Sequence, residues 1–481
     1  MTQPTILLSP LKLAIPAQGG AIDVMVRVQG PEQPESSKSK ITPKRLSLVV
    51  DRSGSMGGQP LHEALKCVEH IASCMTVDDR ISVVVYDDHV NVLMPLGPVS
   101  SQEAIKRLLS TVEDGGSTNL FGGWEEGGKQ LEKGQDDSIS RVILLSDGQA
   151  NRGVLGQDVI ERHCREWLAK GVSTSTVGLG RGFNEDLMIG MAKAGGGQQY
   201  YGQTAADLFD SFDEELSLLQ ALCLRQLSLK LVPAQGVIIE PLGVFDQSAD
   251  GSYQLSDLAW GAESWLAVRL HVSPTAAGQS RDLLAATVQG KALDGQIITA
   301  HAVMLSLPAL AQTAYEALPA DETMERRLQE VDFAKSSLEL SRLVNAGNVT
   351  AARDLVKDLE KRFGKHPWLQ AKLTRLRELS ERDPEMMSKE ARFSSRKMSK
   401  RLVAIDDMPF DGDETNAAMP AFLRKKSEEG SSSTFREGVP LAILNQSIFN
   451  KLIERLAISD ISLIYQIRSV VTCCLCSTVP N

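Results

Sequence analysis

Four short runs of Val, Ile and Leu recur at 45–51, 80–87, 140–147 and 172–179, and helical patterns fill the intervals. This alternation constrains the fold more than any other feature of the chain. A strand that is apolar at successive positions needs cover on both faces. Helices placed between such strands supply that cover and carry the chain back for parallel pairing. One helical stripe is Leu61, Leu65, Val68, Ala72 and Met75; another is Val159, Ile160, Cys164, Trp167 and Leu168. Both follow three- and four-residue spacing. Tyr86-Asp87-Asp88-His89-Val90 reads as a turn into a short antiparallel edge strand. The expected fold is α/β, a doubly wound and mostly parallel sheet.

The first of these strands ends in Asp51-Arg52-Ser53-Gly54-Ser55. One carboxylate and two hydroxyls thus leave the C-terminal edge of the sheet at alternate positions. Open α/β sheets bind ligands at that edge. Two further pieces follow in order, Gly115-Gly116-Ser117-Thr118-Asn119-Leu120 and the strand end Leu144-Leu145-Ser146-Asp147-Gly148. Oxygen ligands of this kind suit a hard divalent cation such as Mg²⁺, which keeps several waters and needs few carboxylates. The competing role for Asp51 and Ser53 is to cap the following helix. Thr118 and Asp147, in the matching order, favour ligation.

The ordered set Asp-x-Ser-x-Ser, then Thr, then Asp-Gly resembles the metal-ion-dependent adhesion site of von Willebrand factor type A domains. The resemblance covers about residues 43–220 and all five ligand positions. It implies that Ser53, Ser55 and Thr118 offer hydroxyl oxygens, and that Asp51 and Asp147 act directly or through water. It also implies one divalent cation, Mg²⁺ or Mn²⁺, with an open position for an Asp or Glu of a partner protein. Met56, Gly57 and Gly58 stand where some relatives carry extra acids for a second cation, so a single metal is expected.

Both flanks change period. Ile22, Val24, Val26 and Val28 alternate with less apolar residues, as do Leu227, Leu229 and Leu231, and Leu266, Val268, Leu270 and Val272. Period two marks half-buried antiparallel strands. One N-terminal strand segment is not stable alone. The expected organisation is therefore a split β-sandwich: residues 1–42 with its N-terminal strands and a connector, 43–222 as the inserted α/β domain, and 223–310 as the remainder. Residues 311–382 read as a helical hairpin turning at Asn345-Ala346-Gly347-Asn348. Residues 383–440, rich in charge and Ser, read first as a disordered linker; the alternative is a basic helix, with Lys389, Arg392, Arg396, Lys397, Lys400 and Arg401, that binds an acidic partner. Residues 441–481 form a short apolar tail containing Cys473, Cys474 and Cys476.

Composition narrows the function classes. A chain of 481 residues with net charge −10 is poorly suited to general nucleic-acid binding. No apolar run reaches the ~20 residues of a membrane span. The seven cysteines form no disulfide-like framework, and Cys67, Cys74 and Cys164 read as small core residues. With no basic, apolar leader at the N-terminus, the expectation is a cytoplasmic protein. Gly178-Leu179-Gly180-Arg181-Gly182-Phe183 fails the dinucleotide pattern at its last place, and no phosphate loop occurs. His62 lies near the triplet; a general-base role would need it to face the cation, and it reads instead as a surface or capping residue. Gly-x-Ser-x-Gly is absent, so Ser53 and Ser55 read as ligands rather than nucleophiles.

The leading expectation is a metal-dependent protein-interaction module or adaptor, not an enzyme. Two alternatives stay open. One is a metal-assisted, phosphatase-like hydrolase with Arg52 or Arg152 as an anion clamp. The other is a scaffold in which the metal is structural. Nothing in the sequence names the partner or sets the oligomeric state.

Overall fold

Thr5–Pro10 (β1) and Gly20–Gln29 (β2) open the chain as an antiparallel pair. The computed structural model describes residues 3–33, 42–99, 101–132, 138–147, 150–179, 183–202, 204–243, 245–248, 250–400 and 402–404, with Pro420, Leu423 and Lys425. After β2 come the six strands of the α/β sheet: Lys44–Asp51 (β3), Arg80–Tyr86 (β4), Val90–Gly97 (β5), Ile139–Ser146 (β6), Val172–Leu179 (β7) and Gly196–Gly202 (β8). Their spatial order is β5-β4-β3-β6-β7-β8. Only β5 runs antiparallel, as the acidic turn before it implied. Every residue of β3, β6 and β7 is buried, because helices cover both faces.

Those helices are Gln59–Ser73 (α1), Gln102–Leu109 (α2), Leu120–Glu132 (α3), Gln157–Ala169 (α4), Glu185–Ala194 (α5) and Ala205–Ala221 (α6). α3 approaches the sheet closely through its glycines. A Cβ on Gly127 would sit 2.4 Å from a Val49 methyl, and one on Gly123 would sit 2.3 Å from the Tyr86 ring. The helix gives up propensity at these positions and gains contact with β3 and β4. β8 carries none of the apolar signal of its neighbours. Its sequence Gly-Gly-Gln-Gln-Tyr-Tyr-Gly has no Val, Ile or Leu, and only the pairing with β7 makes it a strand.

Two mainly antiparallel sheets accompany the α/β sheet. Leu222–Pro233 (β9), Val237–Leu242 (β10), Ala262–Val272 (β11), Ser280–Ala292 (β12) and Val303–Leu310 (β13) supply most of their strands. One sheet has the order β1-β2-β11-β10. Here β2 pairs with β11 from Gly20↔Val272 to Gln29↔Glu263, across the whole intervening α/β sequence. The other sheet is built on β9-β12-β13, with Ile15–Pro16 beside β13. Val24, Val26, Leu266 and Val268 from the first sheet, and Leu284, Ala286, Val288 and Leu305 from the second, share one hydrophobic core.

A buried charge network ties the α/β sheet to this region. Arg141, in mid-β6, is 2 % exposed and pairs with Glu215 of α6 at 2.5 Å. Its Nε donates to Ser173 Oγ, while Ser175 Oγ and Tyr200 Oη both donate to Glu215. Asp257, before β11, stands 4.0 Å from the same guanidinium.

The helical region is larger than a hairpin. Glu322–Asn345 (α7) and Val349–Phe363 (α8) meet at the expected turn, where Gly347 takes φ +78° and Asn348 caps α8 through Ala351 N–H. Pro367–Arg382 (α9) and Pro384–Lys400 (α10) follow. Helix α10 corrects the expectation of a disordered linker beginning at residue 383. It buries Met387, Ala391, Phe393 and Met398. Its basic residues meet acids of the α/β domain: Lys397 pairs with Glu214 at 2.7 Å, and Arg392 pairs with Glu185 and Asp186. Tyr201 of β8 donates to Glu390 at 2.7 Å. Beyond it, Val403–Ala404 pairs with the start of β11. The cysteine-containing tail at 441–481 lies outside the described residues, as does most of 405–440. No helix among the described residues is long and apolar enough to cross a membrane.

Two predictions follow from this packing. Glu215→Ala leaves the Arg141 guanidinium buried without its counter-charge and costs about 3–5 kcal/mol; urea unfolding measures it, and a loss below about 1 kcal/mol would mean that Asp257 suffices. Residues 224–308 expressed without residues 1–30 lack the strand that pairs along all of β11, and amide exchange will show no protected sheet in them.

Candidate metal centre

β3 ends between two parallel neighbours, so its last side chain has no free choice of environment. Asp51 is fully buried. Its Oδ1 accepts from Ser53 N–H at 2.9 Å, an Asx-type turn that starts the chain away from the sheet. Its Oδ2 accepts from Ser146 Oγ at 2.6 Å, which fixes the carboxylate to the end of β6. Burial pushes the Asp51 carboxyl above its ordinary range; the hydrogen bonds from Ser146 and Ser53 oppose this, and the charge of Asp147 adds to it. Among the described residues no Lys or Arg is ion-paired with Asp51. A desolvated carboxylate beside a second one is stabilised by a cation.

The other candidate ligands surround this group in a gradient of exposure. Ser53 is 1 % exposed, whereas Ser55, in the short 3-10 turn Gly54–Met56, faces solvent. Their hydroxyl oxygens lie 3.2 Å apart. Ser53 makes no capping hydrogen bond, and α1 starts only after Gly58, so the capping role weighed for the triplet is not the one its side chains take. Thr118 is 2 % and Asp147 9 % exposed.

The Thr118 loop reaches the triplet through backbone. Gly54 N–H donates to Gly116 O at 3.2 Å, and Gly115 N–H donates to Arg52 O at 2.9 Å. Gly116 holds φ +72°, and a Cβ there would sit 2.1 Å from Asp88 Oδ1, so only glycine fits. No direct bond joins the Thr118 side chain to the triplet; Thr118 is held by Asn151, whose Oδ1 accepts from Thr118 N–H at 2.8 Å. Asp147 O accepts from Asn184 N–H at 2.8 Å, which draws the β7–α5 connection to the same crest.

Three supporting residues escaped the sequence pattern. Ser146, adjacent to a candidate ligand, carried a signal in its position at the strand end. Asp87 carried only a turn signal, and Asn151 carried none. Asp87 pairs with Arg52 at 2.9 Å, accepts from His89 N–H, and takes Asn119 N–H on its carbonyl. Arg52, one of the two clamp candidates, is therefore engaged away from an incoming anion. Arg152 and His62 are exposed.

Five oxygen-bearing side chains, two of them carboxylates, thus stand at the C-terminal edge of adjacent parallel strands and the loops above them. Residues 46–215 match the family model described as von Willebrand factor type A domain. This part of the chain is a von Willebrand factor type A domain. Its relatives include an uncharacterized protein of Synechocystis sp., 26 % identical over 250 residues, which cover 49 % of this chain and 59 % of that protein. The human inter-alpha-trypsin inhibitor heavy chain H3 is 28 % identical over 190 residues, 37 % of this chain and 21 % of its own. The chain thus spans less than two thirds of these relatives. Among solved structures, a von Willebrand factor type A protein from Catenulispora acidiphila matches with a TM-score of 0.60 at 14 % identity, covering 82 % of this chain and 96 % of that one. The ArnB paralog VWA2 from Sulfolobus acidocaldarius matches at 0.52 and 17 %, covering 83 % and 99 %. The shared fold therefore extends well beyond the type A domain into the flanking sheets and helices. Type A domains commonly mediate protein–protein interaction.

The buried carboxylate sets an opposition between stability and ligation. In chelator-treated protein, Asp51→Asn removes a desolvated charge and will raise Tm by about 2–4 °C, the shift that about 1 kcal/mol produces in a domain of this size. Calorimetry in chelator checks this; a lowered Tm would show that the two hydrogen bonds to the carboxylate outweigh its burial.

Proposed function

We propose that this protein is a metal-dependent protein-interaction module or adaptor. One divalent cation, Mg²⁺ or Mn²⁺, is held by Asp51, Ser53, Ser55, Thr118 and Asp147 and receives an Asp or Glu carboxylate of a partner protein. The observation that carries this reading is the placement of Asp51. Its charge is buried, hydrogen-bonded at both oxygens and without an ionic partner among the described residues, while the hydroxyls of Ser53 and Ser55 lead from it to solvent.

With Asp51 and Asp147 acting through water, the hydroxyls that touch the ion are neutral and leave its charge uncompensated at the open position, which an incoming carboxylate then fills. The loops 54–60, 115–121 and 148–156 would set specificity; residues 148 and 149 lie outside the described residues. A single carboxylate contact is small in area, so the partner must also engage neighbouring surface. The two antiparallel sheets are read as one β-sandwich into which the type A domain is inserted, a rigid mount for the crest. The engagement of Arg52 by Asp87 weakens the hydrolase alternative, because it withdraws one of the two candidate phosphate clamps.

Calorimetric titration of Mg²⁺ or Mn²⁺ into chelator-stripped full-length protein tests the reading. One saturable site is expected, lost in Asp51→Ala/Ser53→Ala, with acetate or an acidic peptide binding only to the metal-loaded form. Binding that survives the double substitution, or an acidic peptide that binds equally well in chelator, would overturn it.

A further inference from the structure

Helix α1 leads away from the crest, and its far end carries a second group of ligand-type side chains. His70 and Cys74 stand one turn apart, on the same face of the helix. Asp213, on α6, comes to meet them. His70 Nε2 lies 3.1 Å from Asp213 Oδ1 and 4.0 Å from Cys74 Sγ, and all three ligand atoms fall within 4.8 Å of one another. Zinc bond lengths and a tetrahedral angle place ligand atoms about 3.3–3.6 Å apart. Small side-chain adjustments close that difference.

The surroundings hold the group in place. The His70 ring stacks on Phe209 of α6, with centroids 4.3 Å apart and planes 20° apart. Phe209 and Asp213 are themselves one turn apart, so α6 both orients the imidazole and supplies the carboxylate. Cys74 is the C-cap residue of α1 and is half-buried, unlike Cys67 and Cys164, which are core residues as expected. The negative end of the α1 dipole lies beside a cation bound there.

We propose that His70, Cys74 and Asp213 form a sulfur-containing site for a zinc-like divalent cation, which joins α1 to α6 and leaves a fourth position open to solvent. Thiolate, imidazole and carboxylate together select zinc over magnesium, so this site and the oxygen-only crest discriminate between metals. The open position follows from exposure: the Asp213 side chain is 49 % and that of His70 23 % accessible. Metal binding requires the Cys74 thiolate and the neutral His70 imidazole, so loading the site releases protons. The separation along α1, about 20 Å from its rise per residue, keeps the two sites independent.

Cobalt(II) titration of the full chain tests the proposal, in a Cys473→Ser/Cys474→Ser/Cys476→Ser background that removes the tail thiols. Expected is one equivalent of tetrahedral cobalt with a thiolate charge-transfer band, displaced by Zn²⁺. The band should vanish in Cys74→Ser, and the tetrahedral spectrum should be lost or altered in His70→Gln and Asp213→Asn. It should persist in Asp51→Ala/Ser53→Ala. Circular dichroism of each variant separates loss of a ligand from loss of fold, and the three substitutions sample two helices. Absence of the band in the parent background, or a band unchanged by Cys74→Ser, would reduce the group to an ion pair beside a thiol.

Discussion

The structure depends on the burial of β3 between two parallel neighbours. A strand covered on both faces and paired on both edges presents its polar groups at its two ends, and here the C-terminal end carries the candidate ligands while Lys44 at the other is tied to Asp79. Asp51 sits at the C-terminal end, desolvated, with both oxygens engaged by groups that are themselves fixed by the sheet. The crest is therefore preorganised by backbone geometry. Ser53 and Ser55 follow from the turn that Asp51 starts, and Ser146 and Asp147 from the parallel pairing of β6 with β3. The Thr118 loop is attached by backbone hydrogen bonds that only a left-handed glycine at 116 permits.

Around this sheet the chain uses distant pairing rather than local connection. β2 finds β11 more than two hundred residues later, and the basic face of α10 finds Glu185, Asp186 and Glu214. Arg141 and Glu215 place a full ion pair inside the molecule, with Ser173, Ser175 and Tyr200 completing its hydrogen bonds. A buried pair of this kind adds little net stability over an apolar replacement, but breaking it is costly. Its location fixes β6, β7, β8 and α6 against one another, and all of them lie beneath or beside the crest.

The α/β order, the antiparallel edge strand and the candidate ligands were legible because each is written in local pattern. Apolar runs, helical stripes and the Asp-x-Ser-x-Ser spacing need no knowledge of partners. β8 was not legible, since three glycines and two glutamines outweigh the strand preference of Tyr200 and Tyr201, and its neighbour decides. Helix α10 was misread for a related reason. Its sparse apolar residues, Met386, Met387, Ala391, Phe393 and Met398, are interleaved with Lys and Arg, and a charged segment resembles a linker until the acids that neutralise it are in place. Cys74 was grouped with core cysteines because it shares their helical pattern, yet it caps the helix and faces His70.

The sequence by itself determined the periodicities, and with them the layered α/β domain, the flanking antiparallel strands and the order of the candidate oxygen ligands along the chain. Those are consequences of side-chain size and polarity at fixed backbone repeats. Only the tertiary structure decided which charges are buried together, which strands close the flanking sheets, and that His70, Cys74 and Asp213 share a corner. Ion pairs, long-range registers and side-chain clusters depend on distances between residues far apart in the chain, and no local pattern encodes those distances.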